Sequence, residues 1–163
     1  MKVLVLSDSH GRDENVRKAL EIEKPIDALI HLGDSQEEEE EFRLCVGHGE
    51  VELYMVKGNC DYFADLPASR VISLEGHRIL MAHGHGYYVN FGIRDLVADA
   101  KANNCEIAMY GHTHRPDIDE SDSDVLVLNP GSISYPRQYG KEPSYMVLNL
   151  RKGKAVTCEL KYL

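Results

Sequence analysis

Five short polar clusters constrain this chain more than any other feature. They are Asp8-Ser9-His10, Gly33-Asp34, Gly58-Asn59-Cys60-Asp61, His83-Gly84-His85 and Gly111-His112-Thr113-His114. Apolar, strand-like runs precede them at Lys2 to Leu6, Asp27 to Leu32, Val51 to Val56, Arg78 to Ala82 and Glu106 to Tyr110. A fold that brings its strand ends to one rim gathers these carboxylates, imidazoles and the Asn59 amide in one place. The intervals between clusters are each about one strand plus one crossover long, which is the spacing of alternating strands and helices.

The pattern between clusters supports that architecture. Val16, Ala19, Leu20 and Glu23 recur at helical spacing, and Pro25 closes the segment from Arg12. Ser35 and Glu38 read as a capping box for a second helix. The first part is therefore strand, helix, strand, helix, strand, with parallel strands. Beyond it, Glu75-Gly76 reads as a hairpin turn between Val71 to Leu74 and Arg78 to Ala82. Asn90 caps a helix from Phe91 to about Asn103. After an acidic loop, Asp117 to Asp124, come strands at Val125 to Leu128, Ser144 to Leu150 and Ala155 to Lys161, the last two joined at Lys152-Gly153-Lys154. This second half reads as mostly antiparallel. The economical fold is α/β, two mixed sheets face to face with helices outside, formed by one domain over residues 1–163.

Composition narrows the function classes. A net charge of −9 argues against a backbone-tracking nucleic-acid binder, which needs basic stripes. It leaves room for a small phosphate ester held by metal ions, which bring their own positive charge. Cys45, Cys60, Cys105 and Cys158 form no C-x-x-C pair, and reduced thiols fit a cytoplasmic protein. No apolar run is long enough for a signal or a membrane span.

Asp8 with His10, His83 with His85, and His112 with His114 are each two residues apart at a strand end, so period-2 geometry puts each pair on one side. Asp34 carries the carboxylate best suited to bridge two ions, and Asn59 offers a neutral amide oxygen. Singly, each cluster is as well read as a turn or a satisfied histidine pair; jointly they read as a site for two divalent ions. His31, His48 and His77 fit no ligand spacing and belong to structure or surface. The glutamates from Glu37 to Glu41 read as a solvated helix face helped by the helix dipole.

The ordered set D-x-H, G-D, G-N-x-x, H-G-H and G-H-T-H resembles the calcineurin-like metallophosphoesterases, and most closely their small single-domain bacterial and archaeal phosphodiesterase branch. The resemblance runs from Asp8 to Asn129-Pro130-Gly131-Ser132. It implies a four-layered αββα sandwich. It also implies one ion held by Asp8, His10, Asp34 and His114, and a second held by Asp34, Asn59, His83 and His112, with Asp34 bridging. Mixed oxygen and nitrogen ligands suit manganese first, with iron, zinc or nickel as alternatives. The implied activity is hydrolysis of a small phosphodiester by a hydroxide bridging the ions, with Asp34, Asn59 and His85 as the catalytic set. Many members carry His where this chain has Cys60, and a thiol is the poorer general acid. That favours diesters over monoesters, although Cys60 is equally well read as a small residue fitting a tight loop. Asp61 reads as a loop-capping carboxylate, and Ser132 and Arg137 as either phosphate contacts or structural residues. The alternatives are a phosphomonoesterase or nucleotidase and, in another class, a non-catalytic scaffold like the retromer subunit of similar fold. The partner is thus a small phosphodiester, with no membrane, no stable nucleic-acid complex, and a homodimer carried over by analogy alone.

Overall fold

The structure is a computed structural model that describes residues 1–46 and 51–163, the side chains of Cys45 and Val46 excepted. Its first sheet contains β1 (Lys2–Leu6), β2 (Ala28–His31), β3 (Glu52–Met55), β9 (Ser144–Asn149) and β10 (Thr157–Tyr162), in the order β10-β9-β1-β2-β3. The second contains β4 (Ser69–Leu74), β5 (His77–Ala82), β6 (Ile107–Met109), β7 (Pro116–Asp119) and β8 (Leu126–Pro130), in the order β4-β5-β6-β8-β7. The helices are α1 (Asp13–Glu23), α2 (Glu39–Val46) and α3 (Arg94–Ala102).

Strand alternation builds the layers. Val3, Val5, Ala28, Ile30, Met146 and Leu148 point to one face of the first sheet and meet Ile79, Met81, Ile107, Met109 and Leu128 of the second. The residues between them point the other way. Leu4, Leu6, Leu29 and Val147 pack on Val16, Ala19 and Leu20 of α1 and Phe42 of α2. Leu80, Ala108 and Val127 pack on Leu96 and Ala100 of α3. The result is the four-layered α/β sandwich with two mixed sheets in the middle.

Several local readings change. β5, β6 and β8 are mutually parallel, so the second half is mixed rather than mostly antiparallel. The α3 crossover returns the chain to the same end of the sheet, which a tight turn cannot do. Antiparallel pairing is confined to β4 with β5, β7 with β8, and β9 with its neighbours β1 and β10. The β4–β5 hairpin does turn at Glu75-Gly76, both with positive φ (51° and 84°), the backbone of a two-residue type I′ turn. The start of the acidic loop, Asp117 to Asp119, belongs with Pro116 to an edge strand, where a proline and exposed charges are tolerated. Ser35 does not cap α2; its hydroxyl bonds to the Glu37 main chain. Glu38 stands before the helix instead, and Glu41 reaches back to accept from its N–H at 3.4 Å. Glu39, Glu40 and Glu41 do lie in the first turn of α2. Asn90 caps nothing, because two single 3-10 turns, His85–Tyr87 and Val89–Phe91, and Gly92 at φ 138° intervene before α3.

Buried Glu23 fastens the layers. Its carboxylate meets Lys2 Nζ at 2.9 Å and Lys161 Nζ at 3.0 Å, and accepts the Tyr145 hydroxyl at 3.0 Å. Burial disfavours its charge, but Lys2, Lys161 and Tyr145 outweigh that and hold its pKa below the usual value.

Candidate metal centre

All five clusters sit just past the C-terminal ends of β1, β2, β3, β5 and β6. Those strands run parallel within each sheet, so their ends share one rim. The reason the ligands converge differs from strand alternation. Asp8, His10, Asp34, His112 and His114 all lie outside strands with left-handed backbone, at φ 57°, 49°, 55°, 65° and 58°. Such residues curl the chain over the strand end, where the side chains of Asp8, His10, Asp34 and His114 come together. Aspartate and histidine are among the few non-glycine residues that tolerate this conformation, at a cost on the order of 1 kcal/mol or more each.

Asp8 is at the centre and fully buried. Its Oδ1 has no hydrogen-bond partner yet faces three imidazole nitrogens: His114 Nε2 at 3.1 Å, and His10 and His83 Nε2 at 3.9 Å each. Its Oδ2 accepts the His112 main-chain N–H at 3.2 Å. Asp34 Oδ2 lies 3.4 Å from His83 Nε2 and 3.9 Å from His10 Nε2, and Asp34 Oδ1 accepts the Cys60 N–H at 2.7 Å. Asn59 Oδ1 lies 3.2 Å from His83 Nε2, and the His83 and His112 rings stand 5.2 Å apart.

The tautomers follow from the outer partners. His83 Nδ1 lies 2.7 Å from the Leu32 carbonyl and His114 Nδ1 lies 2.6 Å from the Tyr135 carbonyl. A carbonyl can only accept, so each Nδ1 carries the hydrogen and donates it. Each Nε2 is then turned on a carboxylate. A lone pair set against a carboxylate oxygen is repulsive until a proton or a metal cation stands between them. The orphaned Asp8 Oδ1, the inward Nε2 atoms and the mixed oxygen and nitrogen donor set therefore fit divalent metal. Two groups have donor atoms within 4.8 Å of one another that can hold an ion: Asp8 with His10 and His114, and Asp8 with Asp34 and His83. His10, Asp34 and Cys60 make a third such group.

The charges are mutually adjusted. Burial opposes ionisation of Asp8 and Asp34, but His114 and His83 beside Asp8, and His83 and the Cys60 N–H beside Asp34, lower both carboxyls. Burial likewise opposes charge on His83, and Asp34 and Asp8 reverse it and raise its pKa. Burial lowers His10, His85 and His112. It pushes the Cys60 thiol up to about 11, with Asp34 adding to the effect.

The remaining assignments separate. His85 is exposed at the rim, its ring 5.5 Å from His83 and 6.2 Å from His112. Asp61 is buried and faces the loops: it accepts the N–H groups of Asp34 (2.8 Å), Gly58 (2.7 Å) and Gln36 (2.6 Å). Ser132 is structural, donating to the Asp8 carbonyl at 2.9 Å and accepting from Ser134 and Tyr135 N–H. His31 is fully buried; Gly33 N–H donates to its Nδ1 (3.2 Å), so its Nε2–H donates to Ser9 Oγ (3.0 Å). His77 is held by Glu106 and the Arg151 carbonyl, and His48 lies outside the described residues.

Sequence reasoning missed four neighbours of the ligands. The Gln36 amide lies 3.3 Å from His10 Nδ1 and the Asn90 amide 3.0 Å from His112 Nε2. Tyr135 packs edge-on against His10, its ring 5.2 Å away, and Asn129 holds the His112 loop through the Gly111 carbonyl at 3.1 Å. Only Asn129 left a signal, as the first residue of Asn-Pro-Gly-Ser. A cleft of about 740 Å³ opens over His10, Asp34, Asn59, Cys60, His112 and His114, with Tyr135, Arg137 and Lys141 also lining it.

The family model of the calcineurin-like phosphoesterase superfamily domain matches residues 1–153. The chain belongs to that superfamily. Among calcineurin-like relatives, it is 33% identical over 161 residues to the probable metallophosphoesterase YsnB of Bacillus subtilis, covering 95% of this chain and 88% of that one. It is 28% identical over 148 residues to the phosphodiesterase MJ0936 of Methanocaldococcus jannaschii, covering 80% and 83%. A predicted phosphoesterase of Streptococcus pneumoniae superposes with a TM-score of 0.84 at 31% identity, covering 99% and 88%. Vps29 of Entamoeba histolytica, solved with zinc, shares the fold at a TM-score of 0.73 and 21% identity, covering 99% of each chain. For this calcineurin-like phosphoesterase the resemblance drawn from the five motifs is thereby confirmed at the level of family and fold.

Proposed function

We propose that the chain is a metal-dependent phosphodiesterase acting on small diesters across a dinuclear centre. The observation that carries the reading is the buried Asp8 Oδ1 without a hydrogen-bond partner, ringed by His10, His83 and His114 Nε2 atoms. Asp8, His10, Asp34 and His114 would hold one divalent ion, and Asp34, Asn59, His83 and His112 a second, manganese being the first choice. Such ions, when bound, supply an acidified water and neutralise phosphoryl oxygens.

The chain's own residues do the rest. Asp34 keeps Oδ2 toward the imidazoles because Cys60 N–H holds Oδ1 at 2.7 Å. The Leu32 and Tyr135 carbonyls fix the orientation of His83 and His114. His85, exposed at the rim, and Asn59, inside the cleft, would be polar side chains that meet the phosphoryl group. The diester preference rests on position 60: the Cys60 thiol, pushed up to about 11, is a poor proton donor to a leaving alkoxide. Hydrolysis of an activated diester needs such a donor less than that of a monoester. The relative MJ0936, itself named a phosphodiesterase, supports the same choice.

The test uses purified chain with added manganese and two substrates, bis(p-nitrophenyl) phosphate and p-nitrophenyl phosphate. The diester is expected to be the better substrate, with chelator or Asp34→Asn lowering its turnover by at least about a hundredfold, the scale of losing electrostatic stabilisation. Faster monoester hydrolysis would make the chain a phosphomonoesterase. No hydrolysis of either, with metal bound, would leave the scaffold reading.

A further inference from the structure

Arg137 stands between two clefts. One is the cleft above the candidate metal ligands; the other, of about 420 Å³, has Asn90, Thr113, Arg115 and the carboxylate of Asp117 on its walls, and Arg137 lines both. The Arg137 main-chain N–H donates to the His114 carbonyl at 2.9 Å, so the arginine is tied to the loop that presents a ligand. Lys141 lines the first cleft from a turn in which its own φ is 51° and its N–H donates to Gln138 O at 3.1 Å.

These cations have no structural employment. Ion pairs among the described residues engage Lys2, Lys24, Arg43, Arg94, Lys101 and Lys161; Arg115, Arg137 and Lys141, like most of the other lysines and arginines, pair with no described carboxylate within 4.0 Å. Arg12, by contrast, covers the Tyr135 ring at 4.3 Å. On a chain of net charge −9 it is position, and not the lack of a partner, that sets Arg137 and Lys141 apart: they are the arginine and the lysine that line the cleft over the candidate ligands. Two cations on the wall of a cleft otherwise lined by the candidate ligands and uncharged side chains mark a place for an anion supplied from outside. A guanidinium offers a planar fork that fits a phosphate's two oxygens.

We infer that Arg137, with Lys141 beside it, is a specificity-determining residue that holds a second anionic group of the substrate. The substrate class is then a diester carrying a further phosphate, as in a 5′-phosphorylated dinucleotide. The inference rests on the phosphodiesterase reading for the first phosphate and on Arg137 for the second.

The experiment compares two inhibitors of bis(p-nitrophenyl) phosphate hydrolysis by the manganese-loaded chain: thymidine 3′,5′-bisphosphate and thymidine 3′-monophosphate. A charge-assisted contact to the extra phosphate predicts a bisphosphate Ki lower by about tenfold or more. Arg137→Gln should bring the ratio of the two Ki values to within about twofold of one, and Arg137→Lys, which keeps charge but not the fork, to an intermediate value. Arg94→Gln, whose side chain is exposed and paired with Asp95, should leave the ratio unchanged. A ratio near one in the parent chain, or one that survives Arg137→Gln combined with Lys141→Gln, overturns the inference. If the parent chain fails to hydrolyse the diester at all, it is the phosphodiesterase reading that falls. The same ratio is then read as calorimetric Kd values, on which the Arg137 assignment stands or falls by itself.

Discussion

Asp61 accepts the main-chain N–H of Asp34 at 2.8 Å, one carboxylate holding the backbone of another. The same Asp61 side chain also takes the N–H groups of Gly58 and Gln36, so the second and third clusters are pinned by one buried residue whose carboxylate is occupied by main-chain N–H groups. Asp61→Ala strands three N–H groups and should destabilise the chain by about 3–5 kcal/mol. Asp61→Asn keeps one acceptor oxygen, and should cost less stability while weakening metal affinity by about 10–100-fold. Urea unfolding and metal titration of both variants check this; an Asn variant with parental metal affinity would show that the pinning does not matter to the site.

Gly58 is a second fixed point. A Cβ there would overlap the main-chain nitrogen and Oδ1 of Asp34. Gly58→Ala should therefore displace the Asp34 loop and remove most metal binding, at a stability cost of about 1–3 kcal/mol. Gly86 has nothing within 4 Å of an added Cβ, so Gly86→Ala is the matched control and should bind metal like the parent. Equal metal affinity in the two variants would contradict the prediction.

His31 gives the stability a recognisable pH window. Burial lowers its pKa from 6.5 to about 4 in the folded chain. Between those values the unfolded chain binds a proton that the folded chain does not, so stability rises with pH through this range. On lowering the pH from 6.5 to 4 the loss from this group should be about 3 kcal/mol. In chelator, the stability gap between the parent and His31→Gln should narrow over that window; a gap independent of pH would remove His31 as the cause.

Cys60 separates chemistry from architecture. Its N–H, which survives any substitution but proline, holds Asp34 Oδ1, while its thiol stays protonated at neutral pH because its pKa is about 11. Cys60→Ser should leave diester hydrolysis within about threefold. Cys60→His, by restoring a better general acid, should raise the ratio of monoester to diester hydrolysis by about tenfold or more. An unchanged ratio in Cys60→His would break the link between position 60 and substrate class.

The rim was legible in the sequence because strand ends and side chains able to bind metal coincide there, and both are local signals. Asp8, His10, Asp34, His83 and His114 converge as the clusters imply. The backbone that brings them together was not legible: left-handed φ values at five of the ligand positions depend on the rest of the rim holding them. The parallel pairing of β5, β6 and β8 was hidden because residues 83–106 carry both a ligand cluster and a crossover, and two 3-10 turns blur where the helix starts. β7 was hidden by its charge, which suits an edge strand and a loop equally. Asp61, Gln36 and Asn90 act through geometry between segments far apart in sequence, and no spacing rule reports that.

The ligands are divided between the two sheets: Asp8 and Asp34 follow strands of the first, His83, His112 and His114 follow strands of the second. What lies between the sheets is a layer of aliphatic side chains with no direction of its own. A sideways slip of one sheet across that greasy plane changes little in burial but opens the distances at the rim. Ions bound as proposed would act as rivets between two sliding plates, and the plates as a caliper on the ions. Ile79 and Met81, deep in that plane, would then set the spacing of the candidate ligands without touching them.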